Sequence, residues 1–110
     1  LNVNKKQDIR KMISQITEGW EGEYSLKKNH GRISHIEMNK QYNVSPQDPA
    51  TIDFMLQIGN LYSFVSFETT KDSIRMNISV KPEIKEQLDN IQVFKKQVKN
   101  LENKCFNHPL

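Results

Sequence analysis

"TIDFMLQIGNLYSFVSFE", residues 51–68, alternates on both sides of a Gly-Asn pair. Ile52, Phe54, Leu56 and Ile58 fall on one side of an extended chain, the period-two pattern of a half-buried strand. Gly59-Asn60 is a two-residue hairpin signal. Pairing Ile58 with Leu61 sets Leu56 against Ser63, Phe54 against Val65 and Ile52 against Phe67, which gathers the strongly apolar residues on one face. The stretch therefore predicts a hairpin, with strands at about 51–58 and 61–68. In "SIRMNISV" (73–80), Ile74, Met76, Ile78 and Val80 alternate the same way. Joining Phe67 to Ile74 through the turn "TTKD" extends the hairpin to a three-stranded meander. A slip of one residue would expose the whole apolar set, so the register is well specified.

Working outward, "WEGEYSLK" alternates with Trp20, Tyr24 and Leu26 on one side, and "RISHIEMN" returns after the turn residues "NHG". These predict strands at about 20–28 and 32–39, the second needing a bulge near His35 to bring Ile33 into phase with Ile36 and Met38. Ile9, Met12, Ile13 and Ile16 stand at i, i+3, i+4 and i+7 and predict a helix over 5–18, ended by Gly19. Asn4 is its candidate cap, and Lys5 and Lys6 oppose the dipole at its start. Pro82 suits a first helical position, and 83–104 is free of Gly and Pro. The second long helix is thus predicted over 82–104. Its apolar series Ile84, Leu88, Ile91, Phe94, Val98, Leu101, Cys105 has spacings of 4, 3, 3, 4, 3 and 4, averaging 3.5, the coiled-coil period.

The expected fold is α+β: an antiparallel meander of about five strands, flanked by an N-terminal helix and a long C-terminal helix. The 110 residues suit one domain, 1–110. A start at Leu1 rather than Met suggests a processed product or a piece of a longer protein. The order helix, meander, helix resembles RWD-type domains at the level of architecture, without their Tyr-Pro motif; here "NISVKPE" follows the sheet. The first helix with "LKKNHGR" (26–32) is similar to the small Alu-domain subunits of the signal recognition particle, without their heavy basic excess. Neither resemblance is taken as membership.

Composition narrows the function classes. The net charge is +3, with both ends of the chain slightly basic and the middle slightly acidic. A single cysteine, Cys105, rules out an internal disulfide framework and favours an intracellular, reducing setting. No apolar run approaches the roughly 20 residues of a membrane span. Cys105 with His108 is the nearest approach to a nucleophile and base, but both fall in the tail. His30 and His35 lack the further ligands that a structural zinc site needs, and the glycines form no phosphate cradle. No catalytic residue, metal or cofactor is expected.

The leading expectation is a non-catalytic interaction or assembly domain that binds a protein partner or a second copy of itself. The C-terminal stripe of Ile84, Leu88, Ile91, Phe94, Val98 and Leu101 would be the contact surface, the alternative being that this helix docks on its own sheet, bent at the phase slip between Ile91 and Phe94. Met55, Tyr62 and Phe64, on the second face of the meander, would form a smaller patch to be covered by a helix, another chain or stacked bases. The alternative is an RNA- or DNA-binding module using Lys27, Lys28 and Arg32 of the basic turn with Lys95, Lys96 and Lys99 of the last helix. An exported accessory domain of cystatin-like form is a third class.

Overall fold

The computed structural model describes residues 3–106, and side chains from residue 9 onward. Three helices and four strands follow in the order α1 (Val3–Thr17), β1 (Glu23–Asn29), β2 (Arg32–Tyr42), α2 (Pro49–Leu61), β3 (Val65–Thr69), β4 (Ile74–Val80) and α3 (Lys85–Cys105). The fold is α+β with an antiparallel sheet of four strands rather than about five. The side chains of Asn4, Lys5 and Lys6, and His108 altogether, lie outside the described residues.

The difference is at 51–58, which is helical. Asp48 occupies the N-cap with extended backbone, Pro49 opens the helix, and the Ile52 amide donates to the Asp48 carbonyl at 3.0 Å. Both signals favour a helix start. Thr51, Phe54 and Ile58 are buried and Met55 half-buried, which is the i, i+3, i+4, i+7 stripe of a helix. The segment is apolar on both faces, so it satisfies the strand template and the helix template together. Gly59-Asn60 lies within α2 instead of turning a hairpin, and Tyr62 to Phe64 connect α2 to a shorter β3.

Strand order is β1-β2-β4-β3, so the sheet is not a simple meander. β4 enters between β2 and β3, pairing Ile36 with Val80 and Tyr42 with Ile74 on one side, and Val65 with Ile78 and Thr69 with Ile74 on the other. The β1–β2 turn has positive φ at both His30 (51°) and Gly31 (76°), the twist-matched geometry of a tight hairpin. The β1–β2 register shifts where Lys27 faces His35 and Lys28 faces Ile33, so Ser34 is the extra residue that re-phases β2. Just before β1, a Cβ on Gly22 would stand 1.9 Å from the Asn39 carbonyl oxygen, a space only glycine fits.

All three helices cover one face of the sheet. Ile16 from α1, Phe54 and Ile58 from α2, and Ile91, Phe94, Val98, Leu101 and Cys105 from α3 join Ile36, Met38, Ile74, Met76, Ile78 and Val80 in one core. Two aromatic groups organise it: Phe54 with Tyr42, Phe67 and Phe106, and Phe94 with Trp20, Tyr62 and Phe64. α3 also closes the end of α1. Lys95 Nζ donates to the carbonyls of Gln15 and Glu18 at 2.9 Å each, and Gln92 donates to Gln15 at 3.0 Å, satisfying carbonyls that a helix end leaves open. Among the described residues no helix is long and apolar enough to cross a membrane.

Candidate functional site

Burial places most of the expected partner stripe inside the fold. Ile91, Phe94, Val98 and Leu101 are core residues, 0–7% exposed, so the α3 stripe is consumed by its own sheet. A 3.5-residue spacing serves a helix docked on a sheet as well as one wound on a partner. Only the first turn of the stripe reaches the surface: Ile84 is 39% exposed, and Leu88 lies half-buried at the lip of a groove between α1 and α3. That groove has a volume of about 470 Å³, and its lining combines Met12, Ile16, Leu88 and Ile91 with polar residues such as Lys11 and Asp89.

The Met55, Tyr62 and Phe64 patch is covered from within. Tyr62 is buried and meets Phe94 at 5.1 Å between ring centroids, and Phe64 meets Phe94 at 5.6 Å. Burial raises the Tyr62 phenol above its ordinary range. Met55 sits on α2, half-buried against the core. The face of the sheet turned away from the helices is polar instead. Glu37, Asn39, Ser66, Glu68, Arg75, Asn77 and Ser79 line a shallow groove of about 660 Å³, in which Asn77 Nδ2 donates to Glu68 Oε1 at 2.6 Å.

The basic residues divide. Lys27, Lys28 and Arg32 are exposed on the β1–β2 arm, which runs past β4 because β2 pairs with β4 only from Ile36 onward. Lys96 and Lys99 are exposed on α3, but Lys95 is engaged at the end of α1, where burial lowers its ammonium below the ordinary range despite nearby Glu18. Lys99 acts electrostatically on Glu21, beyond the start of β1 and away from the turn. Roughly 20 Å of strand separates that end from Lys28 and Arg32, so the expected cations do not form one surface.

A polar cluster that the sequence does not announce joins β2 to α3. Tyr42 Oη donates to Glu102 Oε2, and Lys40 Nζ donates to the same oxygen at 2.6 Å and to Glu21 Oε2 at 3.2 Å. Burial first, then the Glu102 carboxylate, holds the Tyr42 phenol far above its ordinary range. For Lys40, burial pulls downward, but the hydrogen bonds and charges of Glu102 and Glu21 outweigh it and raise the ammonium. The cluster leaves only a crevice of about 20 Å³, so it reads as a strand-to-helix tie. Cys105 is buried at the end of α3, where desolvation and the charge of Asp53 raise its thiol, against the requirement of a reactive cysteine. Among the described residues no group of three His, Cys, Asp or Glu side chains is placed to hold a metal.

Large apolar side chains remain exposed on several elements, Leu61 of α2 and Val93 of α3 among them. On α2, Ile52 is 41% and Leu56 58% exposed, while Phe54 and Ile58 on the inner side are fully buried. With Gly59 they stand at i, i+4 and i+7, one outward strip of the helix. A Cβ at Gly59 would meet nothing within 4 Å, so the strip ends in open space. Tyr24 and Leu26 on β1 form a second uncovered pair. Comparison with protein-family models, with curated proteins and with solved structures finds no match for this chain.

Proposed function

We propose that this chain is a non-catalytic protein–protein interaction domain whose partner docks on the outer face of α2. The observation that carries it is the two-sided apolarity of that helix. A helix on the surface of a sheet needs one apolar stripe, and Phe54 and Ile58 already supply it. Ile52 and Leu56 add a second stripe that the described residues leave open, in a sequence only 35% hydrophobic. The only charged residue of α2 is Asp53, and Asp48 precedes it. The occupant that fits is an apolar helical ridge flanked by basic residues, with Gly59 permitting close approach of the backbones.

The test is a photo-crosslinking residue at position 56, with position 71 in the β3–β4 turn as control, in cells that make the protein. The expected result is an adduct to one defined protein from position 56, absent from 71 and lost when Ile52→Glu is added. Adducts that are the same from both positions, or that survive Ile52→Glu, overturn the reading.

A second reading rests on the β1–β2 arm. From Tyr24 to Ile36 it carries Lys27, Lys28 and Arg32 and no acidic residue, and a two-stranded ribbon is narrow enough for a major groove. It requires binding to nucleic acid that weakens steeply with salt. No retention of a mixed single- and double-stranded panel at low salt removes it.

A further inference from the structure

Among the described residues β1 is a margin of the sheet: β2 is its sole neighbour, and all seven of its residues are exposed. Every second residue therefore turns its backbone amide and carbonyl outward, unpaired. Proteins usually blunt such an edge with proline, lysine, an inward charge or a bulge in the edge strand, and of these β1 has only Lys27 and Lys28 at its turn end. Glu23 to Lys27 contains no proline, and the extra residue of the hairpin sits in β2. Tyr24 and Leu26 pair with Met38 and Ile36, which places them on the helix-covered face, yet they are 52% and 36% exposed. The helical layer stops short of them.

We infer that the strand completing this edge is β1 of a second copy, laid antiparallel about a two-fold axis through Ser25. In an antiparallel pair, outward-facing residues must meet outward-facing residues, so the axis passes through a residue rather than between two. With the axis at Ser25, Glu23 of each copy meets Lys27 of the other, and Tyr24 meets Leu26; symmetry makes each contact twice. The faces also agree. Glu23, Ser25 and Lys27 share the open face, and Tyr24 and Leu26 share the helix-covered face, where the four apolar side chains would lie between the two helical layers. Shifting the axis to Leu26 sets Tyr24 against Lys28 and leaves Glu23 opposite Asn29. An axis at Tyr24 sets Glu23 against Ser25, and one at Lys27 sets like charges together. The stretch Glu-Tyr-Ser-Leu-Lys is thus its own complement in charge and apolarity, a property that a foreign strand would not require. The pairing joins two four-stranded sheets into one of eight. Five paired residues make a small interface, so association is expected in the weak class.

The inference stands apart from the α2 surface and is tested on the full chain by light scattering over a concentration series. Wild type is expected to dimerise reversibly. Glu23→Lys and Lys27→Glu are each expected to raise the half-dimer concentration about tenfold or more, since each replaces two attractive cross-strand pairs with repulsive ones. An equimolar mixture of the two variants should dimerise at lower concentration than either alone, and the double reversal should restore wild-type behaviour. Leu56→Glu should leave the dimer unchanged. Both β1 positions are exposed, and unaltered thermal unfolding of each variant confirms that the fold is intact. A wild-type monomer at every concentration overturns the inference. So does a dimer indifferent to the charge reversals, or variants that show no preference for each other.

Discussion

Glu102 accepts from two side chains of one strand, and both donors answer to alkali. Tyr42 and Lys40 have ordinary values of 10.0 and 10.5, and both are raised in the fold. Each therefore contributes stability that is fully present below its unfolded value and is lost as the pH climbs past it toward the folded one. The urea midpoint is expected to hold at neutral pH and to fall above about pH 10. Tyr42→Phe should lower the unfolding free energy at pH 7 by about 1.5–3 kcal/mol, for the lost hydrogen bond to a carboxylate, and flatten the alkaline decline. A decline equally steep in the variant would remove Tyr42 from the account. The cluster was not legible in the sequence, because Lys40 and Tyr42 lie 62 and 60 residues from Glu102 and no local pattern links them. The bulge in β2 was legible, since the break in alternation between Ile33 and Ile36 is local.

The elements were legible where one periodicity excludes the other. α1, β1, β4 and α3 each show a single stripe, β2 shows one that its bulge re-phases, and the predicted bounds of all five fall within a few residues of those observed. The segment 51–58 shows two. Its apolar residues at even positions mimic a strand, and the helical stripe is completed by Thr51 and Met55, which are weaker signals. Asp48-Pro49 was the deciding clue, a helix start that a turn reading also accommodates. The two arrangements differ in a measurable way. On α2, Phe54→Ala should cost about 3–5 kcal/mol, while Leu56→Ala should stay within about 0.5 kcal/mol. On a strand the two would share a face and a fate. Urea unfolding of the pair separates the cases, and comparable losses would refute the helix. α3 gives the complementary lesson: its stripe was read correctly from spacing, but spacing does not say which surface receives it.

At the scale of the molecule, the α+β class followed from the alternation of elements, whereas the strand order did not. Placing β4 between β2 and β3 depends on pairings such as Ile36 with Val80, distant in sequence and silent in composition. The resulting body measures 54 × 26 × 21 Å and is anchored at its centre and open at one margin. Amide hydrogen exchange should reflect this, with β4 slowest and β1 fastest in dilute solution. Protection of residues 23–27 should then rise with protein concentration while β3, the opposite margin, stays unchanged. Concentration-independent exchange in β1 would count against an edge that pairs.

The central place of β4 also bears on how the chain is made. β2 is made early, but one of its two neighbours, β4, is the last of the four strands in sequence, and the helix that seals Ile36, Met38, Phe54 and Ile58 comes later still. Until α3 has emerged, the nascent chain holds these side chains open to water and to other chains. Folding of this domain therefore waits until α3 is made, and a chain stopped before Lys85 is expected to leave these side chains exposed.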